Sequence, residues 1–299
     1  MRSLITALAV AMLVPAVATA QDAAPATAPV AAPQTAAPVS EMRTVTPENL
    51  LVIDTTKGRV LVELAPEAAP LHVERMRLLA RNGFFDGLFW HRVIDNFMAQ
   101  TGDPLGTGEG QSAYPDLPGE FTFRRDVSMP FAAVAAPAGA QVGLIRSLPV
   151  MTQPDANMAT TADGKVHAWG VYCPGVAGMA RDEGNDTANS QFFLMRQPYP
   201  SLDKRYTVWG VVLSGLDVVR AIKVGEGDGG MVVAPDRMTR VRMASDLPEA
   251  DRPVVQVMDT GSAGFRTLLE QTRAARGADF SVCDITLPVQ VSGAAAPAA

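Results

Sequence analysis

The stretch Phe89–Asp103 constrains the fold of this chain more than any other part of the sequence. Two runs of aromatic and β-branched residues flank the polar pair Asp95-Asn96, a pattern typical of two antiparallel strands joined by a tight turn. Arg92 and Gln100 stand among these bulky apolar residues, although a core hairpin has no use for a guanidinium that cannot lose its charge. Strict two-residue pairing sets Arg92 opposite Ala99. A looser turn or a bulge is therefore needed to bring Arg92 and Gln100 together.

Three blocks of the sequence resemble, in the same order, the signatures of cyclophilin-type peptidyl-prolyl cis-trans isomerases. The blocks are Phe89–Asp103, then Gly178–Arg181 followed by Asn189–Leu194, and finally Leu202–Gly210. Together they span most of residues 50 to 245. The resemblance implies an all-β fold, namely a closed eight-stranded antiparallel barrel (cyclophilin-like) capped by two α-helices. Closure of a barrel also removes exposed strand edges, which favours this architecture.

The resemblance also implies roles for individual residues. Arg92 is the catalytic donor to the nitrogen of a twisted X-Pro amide, and Gln100 holds a backbone carbonyl of the substrate. The residues that match the pocket for the proline ring are Phe97, Met98, Phe193 and Leu202, with Tyr206 at its edge. The residues that match other positions along the groove are Arg181, which contacts substrate through its backbone, and Asn189 and Gln191, which shape the floor. Taken alone, Phe and Met residues are by default ordinary core.

The chemistry implied by these residues cleaves no bond, moves no proton and needs no cofactor. We therefore expect a peptidyl-prolyl cis-trans isomerase that acts on proline-containing segments of exported proteins. The alternative is a cyclophilin-like chaperone or scaffold that binds such segments with little catalysis. A binding protein could dispense with the donor Arg92, so the presence of both Arg92 and Gln100 favours the enzyme. A third possibility is that the insertion and the C-terminal tail dock a specific envelope partner.

Two departures from the family pattern concern ligands and leave the catalytic pair intact. Ser201 stands where cyclosporin-sensitive members carry Trp, and Tyr206 replaces His. The resemblance therefore implies weak cyclosporin binding together with retained isomerase activity.

The N-terminal region has the layout of a cleavable secretory signal peptide. Residues 1–20 contain a single Arg, an apolar run and a small-residue cleavage site after Ala20. Residues 21–40 are almost all Ala, Pro, Thr, Val and Gln, which predicts a disordered linker over residues 21–46, and structure is expected to begin near Pro47. No other segment approaches the roughly 20 apolar residues that a membrane span requires. We expect a periplasmic or secreted protein that does not span a membrane.

The rest of the chain is divided by comparison with the family pattern. Residues 47–246 are expected to form the isomerase domain, in which an insertion at about 125–168 is either an ordered flap beside the groove or an inert surface loop. Residues 247–291 form a C-terminal extension too small to fold alone, so it is expected to pack on the barrel. Residues 292–299 are low-complexity tail. The only two cysteines, Cys173 and Cys283, are either a disulfide that pins the extension or two unpaired buried thiols.

Helical patterns occur at three places. The first opens at Pro66-Glu67 and ends at Asn82-Gly83, with His72 interpreted as a surface residue. The second is short and spans Gly215–Ile222. The third lies in the extension and ends at Gly277, before a strand-like run over residues 280–291. A Gly-rich loop over residues 106–110 is interpreted as a mobile loop, which in the resembled family borders the substrate groove.

Charge and composition argue against several classes of partner. The formal net charge is −6 and the sequence has no Lys/Arg run, whereas nucleic-acid binding depends on neutralising phosphates. Anionic membrane surfaces are disfavoured for the same reason. The chain has three His residues and no Cx2C or HExxH pattern, so no metal site is expected. We expect a monomer.

Overall fold

The computed structural model describes residues 39–293 of the chain. The predicted signal peptide, most of the predicted linker and nearly all of the low-complexity tail lie outside these residues. Among residues 39–293, no helix combines the length and the apolar character that crossing a bilayer requires.

The elements are numbered in chain order. The strands are β1 Met42–Thr44, β2 Leu50–Thr55, β3 Gly58–Leu64, β4 Arg92–Val93, β5 Met98–Thr101, β6 Phe123–Arg125, β7 Phe131–Ala135, β8 Gln141–Ile145, β9 Leu148–Thr152, β10 Val166–Gly170, β11 Val176–Met179, β12 Phe192–Met195, β13 Val208–Ser214, β14 Met238–Met243, β15 Val254–Met258 and β16 Val289–Ser292. The α-helices are α1 Pro70–Arg81, α2 Leu216–Ala221 and α3 Ala263–Arg276.

The largest sheet has eight antiparallel strands in the order β14-β2-β3-β13-β11-β12-β5-β4, and it is curled. The predicted closure is not confirmed, because no ladder of strand pairs joins β4 to β14 among the described residues. The reason is the shortness of β4, which has two residues. The chain before β4 instead makes separate backbone hydrogen bonds across the gap, from Trp90 N to Asp236 O and from Val232 N to His91 O, both of 2.9 Å.

Aromatic packing fills the inside of the curled sheet. The ring of Phe192 meets Phe85, Trp90 and Trp209 edge-on, with ring centres 5.4 to 6.1 Å apart. Helix α1 covers this core with its apolar face, which consists of Val73, Met76, Leu79 and Ala80. Val219 and Ile222, in and just after α2, pack on the same cluster, so both predicted covering helices are present.

The start of α1 is fixed by a residue distant in sequence. Its N-cap residue Ala69 has no side chain that can accept a hydrogen bond, and the carboxylate of Glu120 takes over this function. Glu120 accepts hydrogen bonds from the backbone N–H groups of Leu71 (3.1 Å) and His72 (3.0 Å), and it lies 2.7 Å from His72 Nδ1. His72 is therefore fully buried, and its interpretation as a surface residue is wrong. The helix also begins at Pro70, after the predicted start.

Replacing Glu120 by Ala is expected to lower the free energy of unfolding by about 1–2 kcal/mol, because α1 loses its cap and His72 loses its partner. Burial acts to raise the pKa of Glu120, but the hydrogen bonds from His72 and Leu71 hold it below 4.5. The stabilisation is thus present above about pH 4.5 and is lost as the pH falls. Urea unfolding at pH 7 and pH 3.5 measures this, with Glu120→Gln as the matched control. An equal loss at both pH values would contradict the assignment.

The insertion is an ordered antiparallel sheet of five strands in the order β6-β10-β9-β8-β7. The turn between β8 and β9 contacts β1, because Ser147 Oγ accepts a hydrogen bond of 2.7 Å from Arg43. Arg43 also forms a bidentate ion pair with Glu63 on β3, so it links this turn to the eight-stranded sheet. On β10, the ring of Trp169 lies 3.7 Å from Lys204 Nζ. The insertion is therefore ordered, whereas its role as a flap beside the groove stays a prediction.

The C-terminal extension packs on the rest of the chain through a three-stranded sheet, β1-β15-β16. Strand β1 lies inside the predicted linker, so the expected start near Pro47 is wrong: pairing with β15 orders residues that have no pattern of their own. Helix α3 ends at Arg276, before Gly277, as predicted, and Ser262 Oγ caps it by accepting from Phe265 N. Of the predicted strand-like run over residues 280–291, only residues 289–291 form a strand, which continues to Ser292. A disulfide joins Cys173 to Cys283.

Candidate active site

A three-residue turn brings the two polar residues of the β4–β5 hairpin together. Ile94 N donates to Met98 O across residues 95–97, and this register sets Arg92 directly opposite Gln100. Arg92 Nη1 donates a hydrogen bond of 3.1 Å to Gln100 Oε1. The looser turn that the sequence required is present.

Strand alternation places the site on one face of the sheet. Successive side chains of a strand point to opposite faces. On β5, Ala99 belongs to the inner core, whereas Met98 and Gln100 lie on the other face; on β12, Phe192 fills the core and Phe193 faces outward. One face of β4, β5 and β12 thus carries the core, and the other carries the polar pair beside an apolar wall.

The outer face borders a cavity of about 180 Å³. Its walls combine one cation, one amide and several apolar side chains. They are Arg92, Phe97, Met98, Gln100, Ala180, Arg181, Phe193, Leu202 and Tyr206. The structure therefore brings together every residue that the resemblance assigned to catalysis or to the proline pocket, and adds Ala180.

Arg92 is held as a fixed donor. Its Nε donates 3.0 Å to Gly229 O and its Nη1 donates to Gln100, whereas Nη2 has no hydrogen-bond partner within residues 39–293. Burial lowers the pKa of Arg92, although Tyr206 acts in the opposite direction, and a guanidinium keeps its charge at any physiological pH. Burial also lowers the pKa of the adjacent His91, so its imidazole is neutral at pH 7 and adds no repulsion.

A line of amides runs from Arg92 to the Gly-rich loop. Gln100 Nε2 donates 2.9 Å to Gln191 Oε1, and Gln191 Nε2 donates to the carbonyls of Gly108 (2.7 Å) and Gly110 (2.9 Å). Each amide thus fixes the next, so the orientation of Gln100 depends on Gln191. The groove position assigned to Gln191 has this geometric role in the structure.

The Gly-rich loop is organised by the carboxylate of Asp103. This side chain accepts backbone hydrogen bonds from Leu105, Thr107 and Gly108 at 2.6 to 2.8 Å. Burial acts to raise the pKa of Asp103, but these donors outweigh it and hold the pKa below its ordinary value. The loop therefore has specific anchors, which the interpretation as a merely mobile loop did not include.

The remaining predicted residues surround a second cavity of about 200 Å³, next to the first. Asn189 is buried and supports its wall, because Oδ1 accepts 2.6 Å from Ser112 Oγ and Nδ2 donates 2.8 Å to Tyr114 O. Arg181 borders both cavities. Its guanidinium lies over the ring of Tyr206, 4.6 Å from the ring centre, so its side chain orients that ring in addition to any backbone contact with substrate.

Sequence reasoning missed two neighbours of the site. The segment 225–230 lies against β4, where Gly225 N donates to Val93 O and Gly229 O accepts from Arg92. Its four glycines in six residues were the available signal. Tyr199 packs against Phe97 with ring centres 4.3 Å apart and is 40% exposed, so it extends the apolar wall outward.

Asp203 gives a pH-dependent prediction at the edge of the site. Burial raises its pKa to about 6, against the opposing hydrogen bond from Tyr172 N and the charge of Lys204. The folded protein thus binds this proton more tightly than the unfolded chain, whose ordinary value is 3.8, so this group removes stability as the pH rises from about 4 to 6. Asp203→Asn is expected to gain stability relative to wild type over this range. Urea unfolding of both proteins from pH 4 to 7 measures the difference, and a pH-independent difference would contradict it.

Known proteins similar to this chain were found by sequence and by structure. The family model for "Cyclophilin type peptidyl-prolyl cis-trans isomerase/CLD" matches residues 50–243. A probable peptidyl-prolyl cis-trans isomerase of Brucella suis biovar 1 (strain 1330) is 34% identical over an alignment of 212 residues, and the match covers 67% of this chain and 85% of the relative. Peptidyl-prolyl cis-trans isomerase 9 of Schizosaccharomyces pombe is 32% identical over 177 residues, 59% of this chain and 22% of the relative.

Among solved structures, cyclophilin AquaCyp293 from Hirschia baltica is similar with a TM-score of 0.78 and 35% identity. The match covers 85% of this chain and 94% of that chain. The structural likeness therefore extends beyond residues 50–243.

Proposed function

Because the chain belongs to the family of cyclophilin-type peptidyl-prolyl cis-trans isomerases, we propose that it accelerates X-Pro isomerisation in exported proteins by stabilising the twisted amide with Arg92. The observation that carries this proposal is the Arg92–Gln100 pair at the edge of an apolar cavity of about 180 Å³. An apolar pocket alone would be enough to bind a proline ring. The fixed cationic donor beside it adds a group that can stabilise the twisted amide.

The reaction needs a catalyst that distinguishes the twisted amide from the two planar ones. Rotation breaks amide resonance and has a barrier of about 18–20 kcal/mol. As the bond twists, the nitrogen becomes pyramidal and gains a lone pair that neither planar isomer has. A donor aimed at that lone pair therefore binds the transition state more tightly than the ground state, which is the requirement for catalysis.

Arg92 suits this role because it is charged, half-buried and oriented in advance. Gly229 O and Gln100 Oε1 each hold one of its nitrogens, so the guanidinium does not have to be ordered when substrate arrives. We propose that Nη2 donates to the amide nitrogen, that Gln100 binds a substrate carbonyl, and that Phe193 and Leu202 enclose the proline ring. No cofactor takes part in this scheme.

The experiment that tests the function measures exchange of a short X-Pro peptide with and without residues 21–299. Acceleration of the cis-trans rate at substoichiometric protein supports the isomerase. Peptide binding without acceleration would overturn it in favour of the proline-segment chaperone or scaffold. Both functions require the same groove, so peptide binding does not distinguish them. The effect of the wild-type protein on the cis-trans rate does.

We further propose that the protein is exported to the periplasm or secreted, with cleavage after Ala20. The Cys173–Cys283 disulfide supports this, because such bonds persist in oxidising compartments and are rare in the cytosol. Fractionation of cells that express the full chain, with mass spectrometry of the mature N-terminus, tests the proposal. An intact Met1 in the cytosolic fraction would overturn it.

Ligand and assembly properties follow from the same site. We propose weak cyclosporin binding, since Ser201 stands where cyclosporin-sensitive members of the family carry Trp, and tight inhibition at low drug concentration would contradict this. We also propose that the monomer is the active unit, because every residue assigned to the site comes from one chain. Light scattering of the active protein at assay concentration tests the second point.

A further inference from the structure

Tyr172 packs behind Phe193, which lines the cavity beside Arg92 and Gln100 (the proline cavity), and it immediately precedes Cys173. Its side chain is fully buried, and its ring stacks on that of Phe193 with centres 5.8 Å apart. Phe193 in turn meets the edge of Tyr206 at 6.0 Å. Two walls of the cavity therefore rest, directly or through one contact, on the ring of Tyr172.

The backbone of Tyr172 holds a third wall. Its N–H donates 3.0 Å to Asp203 Oδ1, and its carbonyl accepts 2.9 Å from Tyr199 N. Leu202 lies between these two partners, in a turn closed by a hydrogen bond of 3.1 Å from Leu202 N to Tyr199 O. A displacement of Tyr172 would therefore move Leu202 as well as Phe193.

The C-terminal extension is attached covalently beside this residue. The disulfide joins Cys173 to Cys283, 110 positions further along the chain. The adjacent Val282 is buried in the same apolar cluster as Tyr172 and Phe193, and α3 contributes Phe265 to that cluster. The extension thus has both a bond and a packed surface against the back of the cavity.

We propose that Tyr172 is a positioning residue for the proline cavity and that the Cys173–Cys283 disulfide holds it in place, so that the C-terminal extension sets the affinity for substrate. The inference rests on the proposed isomerase function and deepens it. Cavity walls contact the proline ring in both planar isomers and in the twisted state, so their displacement weakens binding of all three. Arg92 lies on β4 and is held by Gly229 and Gln100, so its contribution to the chemical step remains.

The test compares steady-state kinetics of the oxidised protein with those after treatment with a dithiol. In that reaction the dithiol is oxidised to its own disulfide, and its two electrons and two protons convert the bond into the thiols of Cys173 and Cys283. We expect KM for an X-Pro peptide to rise about three- to ten-fold while kcat stays within about two-fold. The double variant Cys173→Ser/Cys283→Ser should reproduce this rise and should not respond to the dithiol.

Variants at the ring separate positioning from general stability. Tyr172→Leu, with the disulfide intact, should raise KM to a similar extent, and Tyr172→Phe, which keeps the ring, should restore the wild-type KM. Leu269→Ala removes a largely buried side chain of α3 in the same cluster, so it should lower the melting temperature without changing KM at 25 °C.

The outcomes distinguish this inference from the proposed function. An oxidised wild type without isomerase activity would overturn the function itself. An active wild type whose KM is unchanged by the dithiol and by Tyr172→Leu would overturn only the positioning role. If circular dichroism shows that the reduced protein unfolds, Tyr172→Leu decides: a raised KM supports the role and an unchanged KM overturns it.

Discussion

Arg92→Ala is expected to lower kcat for X-Pro isomerisation by about two orders of magnitude, the effect of removing one fixed donor from a developing charge. Peptide affinity should change little, because the apolar walls of the cavity remain. The variant should also fold, since Arg92 lies on a two-residue edge strand and its side chain is only half-buried. A coupled assay for kcat and a fluorescence titration for the dissociation constant measure the two quantities.

Arg92→Lys is the matched control for charge. It keeps a cation but loses the planar fork that bonds Gly229 and Gln100 simultaneously. We expect kcat of Arg92→Lys to remain well below wild type, because an ammonium on a flexible stem is not fixed toward the amide nitrogen. Recovery of wild-type kcat in this variant would show that charge suffices and that the fixed geometry is unnecessary.

Gly102→Ala is expected to have the largest effect on stability, a loss of about 2–5 kcal/mol. Gly102 has φ +87°, where a Cβ is strained, and its Cβ would lie 2.3 Å from Ser190 O and 2.9 Å from Gln191 Cα. Both are backbone atoms that cannot move aside alone. A shift of Gln191 would also release Gln100, so activity should fall together with stability. Chemical denaturation and the isomerase assay check the two effects.

Gly87→Ala separates backbone strain from steric overlap. Gly87 has φ +80°, close to that of Gly102, but beyond its own chain neighbours no heavy atom lies within 4 Å of the position that a Cβ would occupy. It should therefore lose only the strain contribution of about 1–2 kcal/mol and keep its activity. Equal losses in Gly87→Ala and Gly102→Ala would show that the contact with Ser190 has no energetic weight.

The site was predictable because its residues lie in short blocks of sequence. Arg92 and Gln100 belong to one hairpin, and Phe193 and Leu202 belong to two signatures that alternation or a short turn orients. The amphipathic helix that ends at Gly277 was likewise predicted from residues that are close together in the sequence. The roles of the site residues came from the resemblance of these blocks to the cyclophilin signatures, whereas the helix was predicted from apolar periodicity over neighbouring positions.

Features that depend on distant partners could not be predicted in this way. His72 is buried because Glu120, far along the chain, accepts its hydrogen bonds. Strand β1 pairs with β15, which lies more than 200 positions further along the chain. The closed barrel stays unconfirmed because β4 is too short to form a ladder with β14. The alternation of apolar and polar residues in a strand does not show how many of them pair with a neighbouring strand.

Part of the inserted sheet has a hairpin pattern in the sequence, but Arg146 in its turn is not a typical turn residue. Residues 141–145 and 148–152 are two apolar runs separated by two residues, as in a tight hairpin. The turn places Arg146 at φ +52°, where Gly, Asn or Asp is usual, so the turn chemistry expected of a hairpin was missing. The ion pair between Arg146 and Glu67, at 3.4 Å, is the contact made by that side chain.

The most direct test of the central claim is exchange NMR on a peptide that saturates the protein, which reports the cis-trans rate of the bound X-Pro bond. We expect Arg92→Ala to slow this rate by about two orders of magnitude while the populations of bound cis and trans peptide stay near those of wild type. A bound rate that is unchanged in Arg92→Ala would show that the cavity, and not the guanidinium, accelerates rotation, and would overturn the role proposed for Arg92.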